Sequence, residues 1–199
     1  MHDAAVATGT VSAAAEPEGA AQARGAMSHT DELLTRADQY AATFGFGDLP
    51  MRPRLPVVVL TCMDARINLY ALLGLREGDL NILRNAGGAA TDDVIRSLVV
   101  SQRRLATREI VVIHHRDCGL RSMDEGAFVA DLAREAGQAP PWPLESFGDP
   151  ATDVRRSVER LEASPFLAYR DAIRGFLYDE SSGRLEEVPR LPEEAGRSA

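Results

Sequence analysis

Short apolar runs alternate with amphipathic stretches through the middle of this chain. Val57 to Thr61, Asn81 to Arg84 and Glu109 to His114 are compact blocks rich in Val, Ile and Leu, and their spacing predicts three buried strands. Between them, Asn68 to Leu73 reads as a short helix stopped by Gly74 and Gly78. Thr91 opens a stronger helix, with Val94, Ile95, Leu98, Val99 and Leu105 along its apolar side. The order β-α-β-α-β predicts a parallel sheet covered by helices. Ahead of it, Asp31 to Phe44 places Leu33, Leu34, Ala37, Tyr40, Ala41 and Phe44 at helical spacing, with Thr30 as the expected N-cap. A connector rich in Pro and Arg, Met51 to Pro56, leads into the first strand.

Beyond the third strand the pattern loosens. Gly126 to Ala136 reads as a helix, Ala139 to Pro150 as a loop, and Val154 to Ala163 as an amphipathic helix broken at Ser164-Pro165. Ile173 to Tyr178 and Leu185 to Val188 alternate about Ser181-Ser182-Gly183, which predicts a terminal hairpin. The expected fold is α/β, a mainly parallel β-sheet flanked by helices, with an N-terminal helical arm and a C-terminal strand hairpin. One domain over 27–190 accounts for it, without internal repeats.

Composition narrows the classes. Hydrophobic residues at 45% and charged residues at 26% suit a soluble globular domain that needs no disulfide staples. A formal net charge of -8 argues against nucleic acid or anionic membrane as a partner. Arg103-Arg104 and Arg155-Arg156 read as solvated helix faces. No apolar run approaches the ~18 residues that span a bilayer. Residues 1–26, rich in Ala, Gly and Thr, lack the basic and apolar regions of a secretory signal. They are expected to be a disordered extension, with Met27 an alternative start, and 191–199 a flexible tail. The expected compartment is the cytoplasm, where the two cysteines, Cys62 and Cys118, are not expected to form a structural disulfide.

Their neighbours give these cysteines a use. Cys62-Met63-Asp64-Ala65-Arg66 follows the first strand, and His115-Arg116-Asp117-Cys118-Gly119 follows the third. Open α/β sheets build their sites outside the carboxyl ends of strands, so neighbouring first and third strands would bring both segments to one crevice. Cys62, His115 and Cys118 are then a sulfur–nitrogen set suited to zinc, leaving one tetrahedral position for water. His-x-x-Cys alone is weak evidence; paired with Cys-x-Asp-x-Arg at a matching strand end, the signal is strong. Asp64 and Arg66, two residues apart, can lie on one side as a carboxylate–guanidinium pair. The pair reads either as a structural ion pair or as a clamp that keeps Asp64 off the metal. His114 precedes the candidate ligand and would point to the opposite face, a buried or helix-packed residue rather than a proton shuttle.

These segments resemble the β-class carbonic anhydrases, most closely the short archaeal- and actinobacterial-type members. Arg84-Asn85-Ala86-Gly87-Gly88, the run Asp93 to Leu98, Ser164-Pro165 and the run Arg174 to Asp179 extend the resemblance over about residues 30 to 190. It implies one zinc per chain held by Cys62, His115 and Cys118, a catalytic pair Asp64 and Arg66, and Asp64 as an optional fourth ligand. Gly87 and Gly88 would belong to a turn near the substrate cavity. The implied reaction is reversible hydration of carbon dioxide to bicarbonate and a proton through zinc-bound hydroxide. The implied assembly is a homodimer or dimer of dimers, with Asp31 to Phe44 as the arm that embraces the partner. Two rivals share the scaffold: a hydrolase of carbonyl sulfide or carbon disulfide, and a non-catalytic bicarbonate sensor. Arg116 stands where the family usually has Thr or Ser, and the connector before the first strand lacks the substrate-binding glutamine of plant-type members. A bulky cation at Arg116 is expected to narrow the cavity or to shift the acidity of the water.

Overall fold

A computed structural model describes residues 28–191. The expected 1–26 extension, Met27 and the tail beyond 191 lie outside the described residues. The chain divides into two units, one ending at Gly47 and one beginning at Asp48.

The first unit carries α1, His29–Ala41. Its N-cap is Ser28 rather than Thr30: the Ser28 side chain accepts from the Asp31 N–H, and the Asp31 carboxylate accepts from the Ser28 N–H, a reciprocal capping box. Asp31 can return the hydrogen bond only to a residue three positions earlier, which moves the start back by two. None of the residues of α1 is buried, and Leu33, Leu34, Tyr40 and Phe44 are all exposed.

The second unit is built on β1 (Val57–Cys62), β2 (Asn81–Asn85), β3 (Glu109–His115), β4 (Ile173–Asp179) and β5 (Arg184–Glu187). Their spatial order is β2-β1-β3-β4-β5, with the first four parallel and β5 antiparallel to β4. Strands one and three are therefore neighbours, as the crevice argument required. The connecting helices are α2 (Leu69–Leu73), α3 (Asp92–Leu105), α4 (Glu125–Ala136) and α5 (Pro150–Ala163). Asn68 caps α2, and Gly74 ends it at φ 63°, while Thr91 caps α3. Helix α5 starts a full turn before the position that apolar periodicity suggests. Asp149 accepts from the Thr152 N–H, and Pro150 at the first turn loses no hydrogen bond there.

Strand alternation divides the core into two layers. Val58, Leu60, Ile110 and Val112 pack with Val94 and Leu98 of α3 and with Val154, Val158 and Leu161 of α5. Val59 and Ile113 face the other way, with Ile67, Leu69, Leu120 and Phe147, and Cys62 and Cys118 join this second layer. Residues 114 and 115 continue the alternation, one to each face.

Candidate active site

The carboxyl ends of β1 and β3 bring the two predicted segments together. Thr61 is paired with Ile113 across the sheet, and its hydroxyl donates to the Ile113 carbonyl at 2.8 Å, fixing the strands where they end. Cys62, His115 and Cys118 are all buried, and one ligand atom of each lies within 4.8 Å of the others. Among the described residues this is the group with the residue types and spacing to hold a metal ion.

The electrostatics suit a cation. The Cys62 thiol is pulled well below the usual range, first by a hydrogen bond from Cys118, against burial, with further help from His115 and the backbone N–H groups of Asp64 and Gly87. The Cys118 thiol is pushed up in turn by the Cys62 thiolate and by burial. Burial opposes charge on His115, yet the Cys62 thiolate and the Glu180 carboxylate outweigh it and raise its pKa. Nδ1 of His115 is engaged by Glu180, while Nε2 is buried and has no hydrogen-bond partner. A buried imidazole nitrogen without a partner, beside two sulfurs, is what a zinc ligand set requires. The residues present fit the metal.

Asp64 and Arg66 form a tight pair at the mouth of this cluster. Arg66 Nη2 donates to Asp64 Oδ2 at 2.8 Å, Nε donates to Oδ1 at 3.0 Å, and the Arg66 backbone N–H donates to Oδ1 at 2.8 Å. These bonds hold the Asp64 carboxyl well below the usual carboxylate range. The guanidinium is also fixed from its other side, donating to Asp117 Oδ2 and to the Asp117 carbonyl, both at 2.7 Å. Arg84 braces the same segment by donating to the carbonyls of Cys62 at 2.9 Å and Asp64 at 2.6 Å.

Gly87 and Gly88 lie in a 3-10 turn, Ala86–Gly88, directly after β2, with φ 76° and 73°. A Cβ on Gly88 would sit 3.0 Å from the Thr61 carbonyl carbon and the Cys62 nitrogen, so glycine lets this turn lie against the backbone of a candidate ligand. Both glycines are buried; the adjacent cleft of about 630 Å³ takes Arg84, Asn85, Ala86, Ala89 and Trp142 into its wall. Arg116 turns aside: Nη2 donates to Glu186 on β5 at 2.6 Å. This pairing engages its charge with an acidic side chain of the hairpin. His114 is buried against α5, its Nε2 3.0 Å from the Gly88 carbonyl and its Nδ1 3.1 Å from Asp153.

Three residues around the site, Arg84, Asp117 and Glu180, have roles that the sequence reading did not assign. Asp117 stands inside the His-x-x-Cys segment but is recognisable only by its contact with Arg66. Arg84 comes from β2, within the run Arg84 to Gly88, and Glu180 lies just after β4 in what reads as an ordinary hairpin turn, Asp179 to Gly183. Only the sheet's register brings Glu180 to His115: Tyr178 lies opposite His115, and the chain turns two residues later.

A mostly parallel sheet covered by helices, with two cysteines and a histidine gathered at its carboxyl edge, defines an α/β protein with a metal-binding group. A sequence profile described as carbonic anhydrase matches residues 57–140. The protein "Beta-carbonic anhydrase 1" of Mycobacterium tuberculosis is 44% identical over 162 residues, spanning 81% of this chain and 99% of its own. The crystal structure of a carbonic anhydrase from Streptococcus mutans superposes with a TM-score of 0.77 at 39% identity, covering 82% of this chain and 99% of that one. A carbon disulfide hydrolase of Acidithiobacillus thiooxidans is 30% identical over 148 residues, 64% of this chain and 74% of its own. The chain belongs to the β-carbonic anhydrase family.

Proposed function

We propose that this protein catalyses the reversible hydration of carbon dioxide to bicarbonate and a proton, using one zinc ion held by Cys62, His115 and Cys118. The observation that carries the reading is the convergence of those three buried side chains beside the Asp64–Arg66 pair, in a chain of this family. Zinc in such a site lowers the pKa of water towards ~7 and so supplies a nucleophile at neutral pH. The chain's own residues orient and protect that chemistry. Arg66 grips both oxygens of Asp64, keeping the carboxylate ionised and away from the sulfurs, while Asp117 anchors the far side of the guanidinium. Asp64 would be the acceptor that orients a reacting water, and Arg66 is the group whose grip would keep this carboxylate from ligating the metal. The bare backbone of Gly88 lets the turn after β2 lie against Cys62, and with Gly87 that turn forms a wall of the proposed substrate cavity.

The same reading gives a core domain over 27–190, a cytoplasmic setting and assembly into a homodimer or dimer of dimers. The exposed apolar residues of α1 support the assembly. Among the described residues no helix is long and apolar enough to cross a membrane. Stopped-flow hydration of carbon dioxide on zinc-loaded protein tests the activity, with carbon disulfide as a parallel substrate. Zinc-loaded protein that turns over carbon disulfide and leaves carbon dioxide untouched would overturn the assignment in favour of the hydrolase.

A further inference from the structure

We infer that Glu180 is a positioning residue for the metal: its carboxylate holds His115 with Nδ1 protonated and Nε2 free to ligate, and ties the turn carrying Cys118 to the same point. The inference rests on the reading of His115 as a zinc ligand. Three observations carry it. Glu180 Oε1 accepts from His115 Nδ1, and the same oxygen accepts the backbone N–H of Asp117 at 3.0 Å. His115 Nε2 has no hydrogen-bond partner although it is fully buried. Glu180 is itself largely buried, its side chain 11% exposed, with Arg66 Nη2 4.0 Å from the shared oxygen.

The geometry follows from the hairpin. The Arg116 N–H donates to the Tyr178 carbonyl at 3.0 Å, so the β3–β4 ladder runs past His115 and brings the end of β4 alongside it. Asp179 Oδ1 then accepts from the Ser181 N–H at 2.9 Å and from its hydroxyl at 2.6 Å, a local turn that leaves the Glu180 side chain facing the site. A carboxylate can only accept, so the proton of a neutral His115 sits on Nδ1 and the lone pair is on Nε2. A negative group behind the ring also makes that lone pair more basic. Carboxylates behind metal-bound histidines act in this way in other zinc proteins. One side chain therefore orders two of the three ligands, through His115 directly and through the backbone that leads into Cys118.

The test measures zinc affinity by chelator competition in wild type, E180A, E180Q and D179A, with 15N NMR of the His115 ring. E180A is expected to weaken zinc about 10–100-fold. E180Q is expected to recover most of that loss, because the amide oxygen still accepts from Nδ1. In the metal-free proteins, wild type and E180Q should keep the proton of the neutral ring on Nδ1, whereas E180A should show a mixture of tautomers. D179A removes the acceptor of the Ser181 N–H and hydroxyl, weakens the turn without touching His115 and should bind zinc as wild type does, separating the carboxylate from mere turn stability. E180A that binds zinc as tightly as wild type with an unchanged tautomer overturns the inference, and so does a D179A loss equal to that of E180A. Should E180A fail to fold, the wild-type ring decides: a neutral, metal-free His115 with its proton on Nε2 overturns the inference. Wild type that takes up no zinc overturns the metal reading itself, and this inference with it.

Discussion

His114 and His115 are neighbours on β3 and both are wholly buried, yet strand alternation sends them to opposite faces of the sheet. On the α5 side, His114 Nε2 meets the Gly88 carbonyl at 3.0 Å, while Nδ1, without a hydrogen bond, has the Asp153 carboxylate 3.1 Å away. Asp153 is in turn held by Arg156 at 2.5 Å, so that face ends in a network of internal partners. On the opposite face, His115 has an internal partner on one nitrogen only, and the other is buried beside two cysteines. Burial alone does not separate a structural histidine from a functional one. Each ring has one nitrogen without a hydrogen bond, and the difference lies in what faces it: a carboxylate beside His114 and two sulfurs beside His115.

Replacing each histidine in turn gives the largest expected contrast. His115→Ala, like Cys62→Ser or Cys118→Ser, should lose zinc and carbon dioxide hydration together, since each removes a proposed ligand. His114→Ala should keep its zinc but lose about 1–3 kcal/mol of stability, because it empties a fully buried site and leaves the Gly88 carbonyl without its hydrogen bond. Metal analysis and urea unfolding on the same samples check both halves. Full zinc in His115→Ala would dissolve the distinction between the two faces.

Arg66→Ala asks whether the pair at the mouth is a clamp or only an ion pair. It should retain zinc and lose hydration activity on the order of 10²-fold or more, as Asp64 leaves its orienting role. A crystal structure of the variant with Asp64 still remote from the metal would show that Arg66 does not restrain it.

The seam between the two faces runs through Gly88, which touches β1 backbone on one side and His114 on the other. Gly88→Ala should destabilise by about 1–3 kcal/mol from its positive φ alone, with the 3.0 Å backbone contacts adding to it. Gly74→Ala, also at positive φ but with nothing within 4 Å of the new methyl, should cost less in the same unfolding measurement. Equal losses would mean that the close approach at Gly88 contributes nothing.

The smallest effect belongs to a region remote from either histidine. Arg54 holds the Asp79 carboxyl below its ordinary value, with help from the Arg76 backbone N–H. A depressed carboxylate contributes stability above its unfolded pKa of ~3.9 and loses it as pH falls through the lower folded value. Asp79→Asn should therefore be less stable than wild type at neutral pH, with the gap narrowing towards pH ~3. Denaturation midpoints at both ends of that range check the sign.

The residues by themselves determined the element order, the parallel sheet with its terminal hairpin, and the pairing of Cys62 with His115 and Cys118. Those features are local: periodicity, capping residues and short spacings are written within a few positions of one another. Element starts were less legible where a cap competes with apolar periodicity, as at Ser28 and Pro150. The surroundings of the site were decided by tertiary structure. Arg84 reaches the carbonyls of Cys62 and Asp64 because β2 pairs with β1 in one register. Glu180 lies 65 positions from His115 and meets it because β4 lies parallel to β3 and turns just past it. Arg116, which reads as a possible intruder at the metal, is drawn to Glu186 across the hairpin. No spacing rule reports such contacts: a charged side chain takes the partner that folding brings within reach, and sheet register sets which one that is.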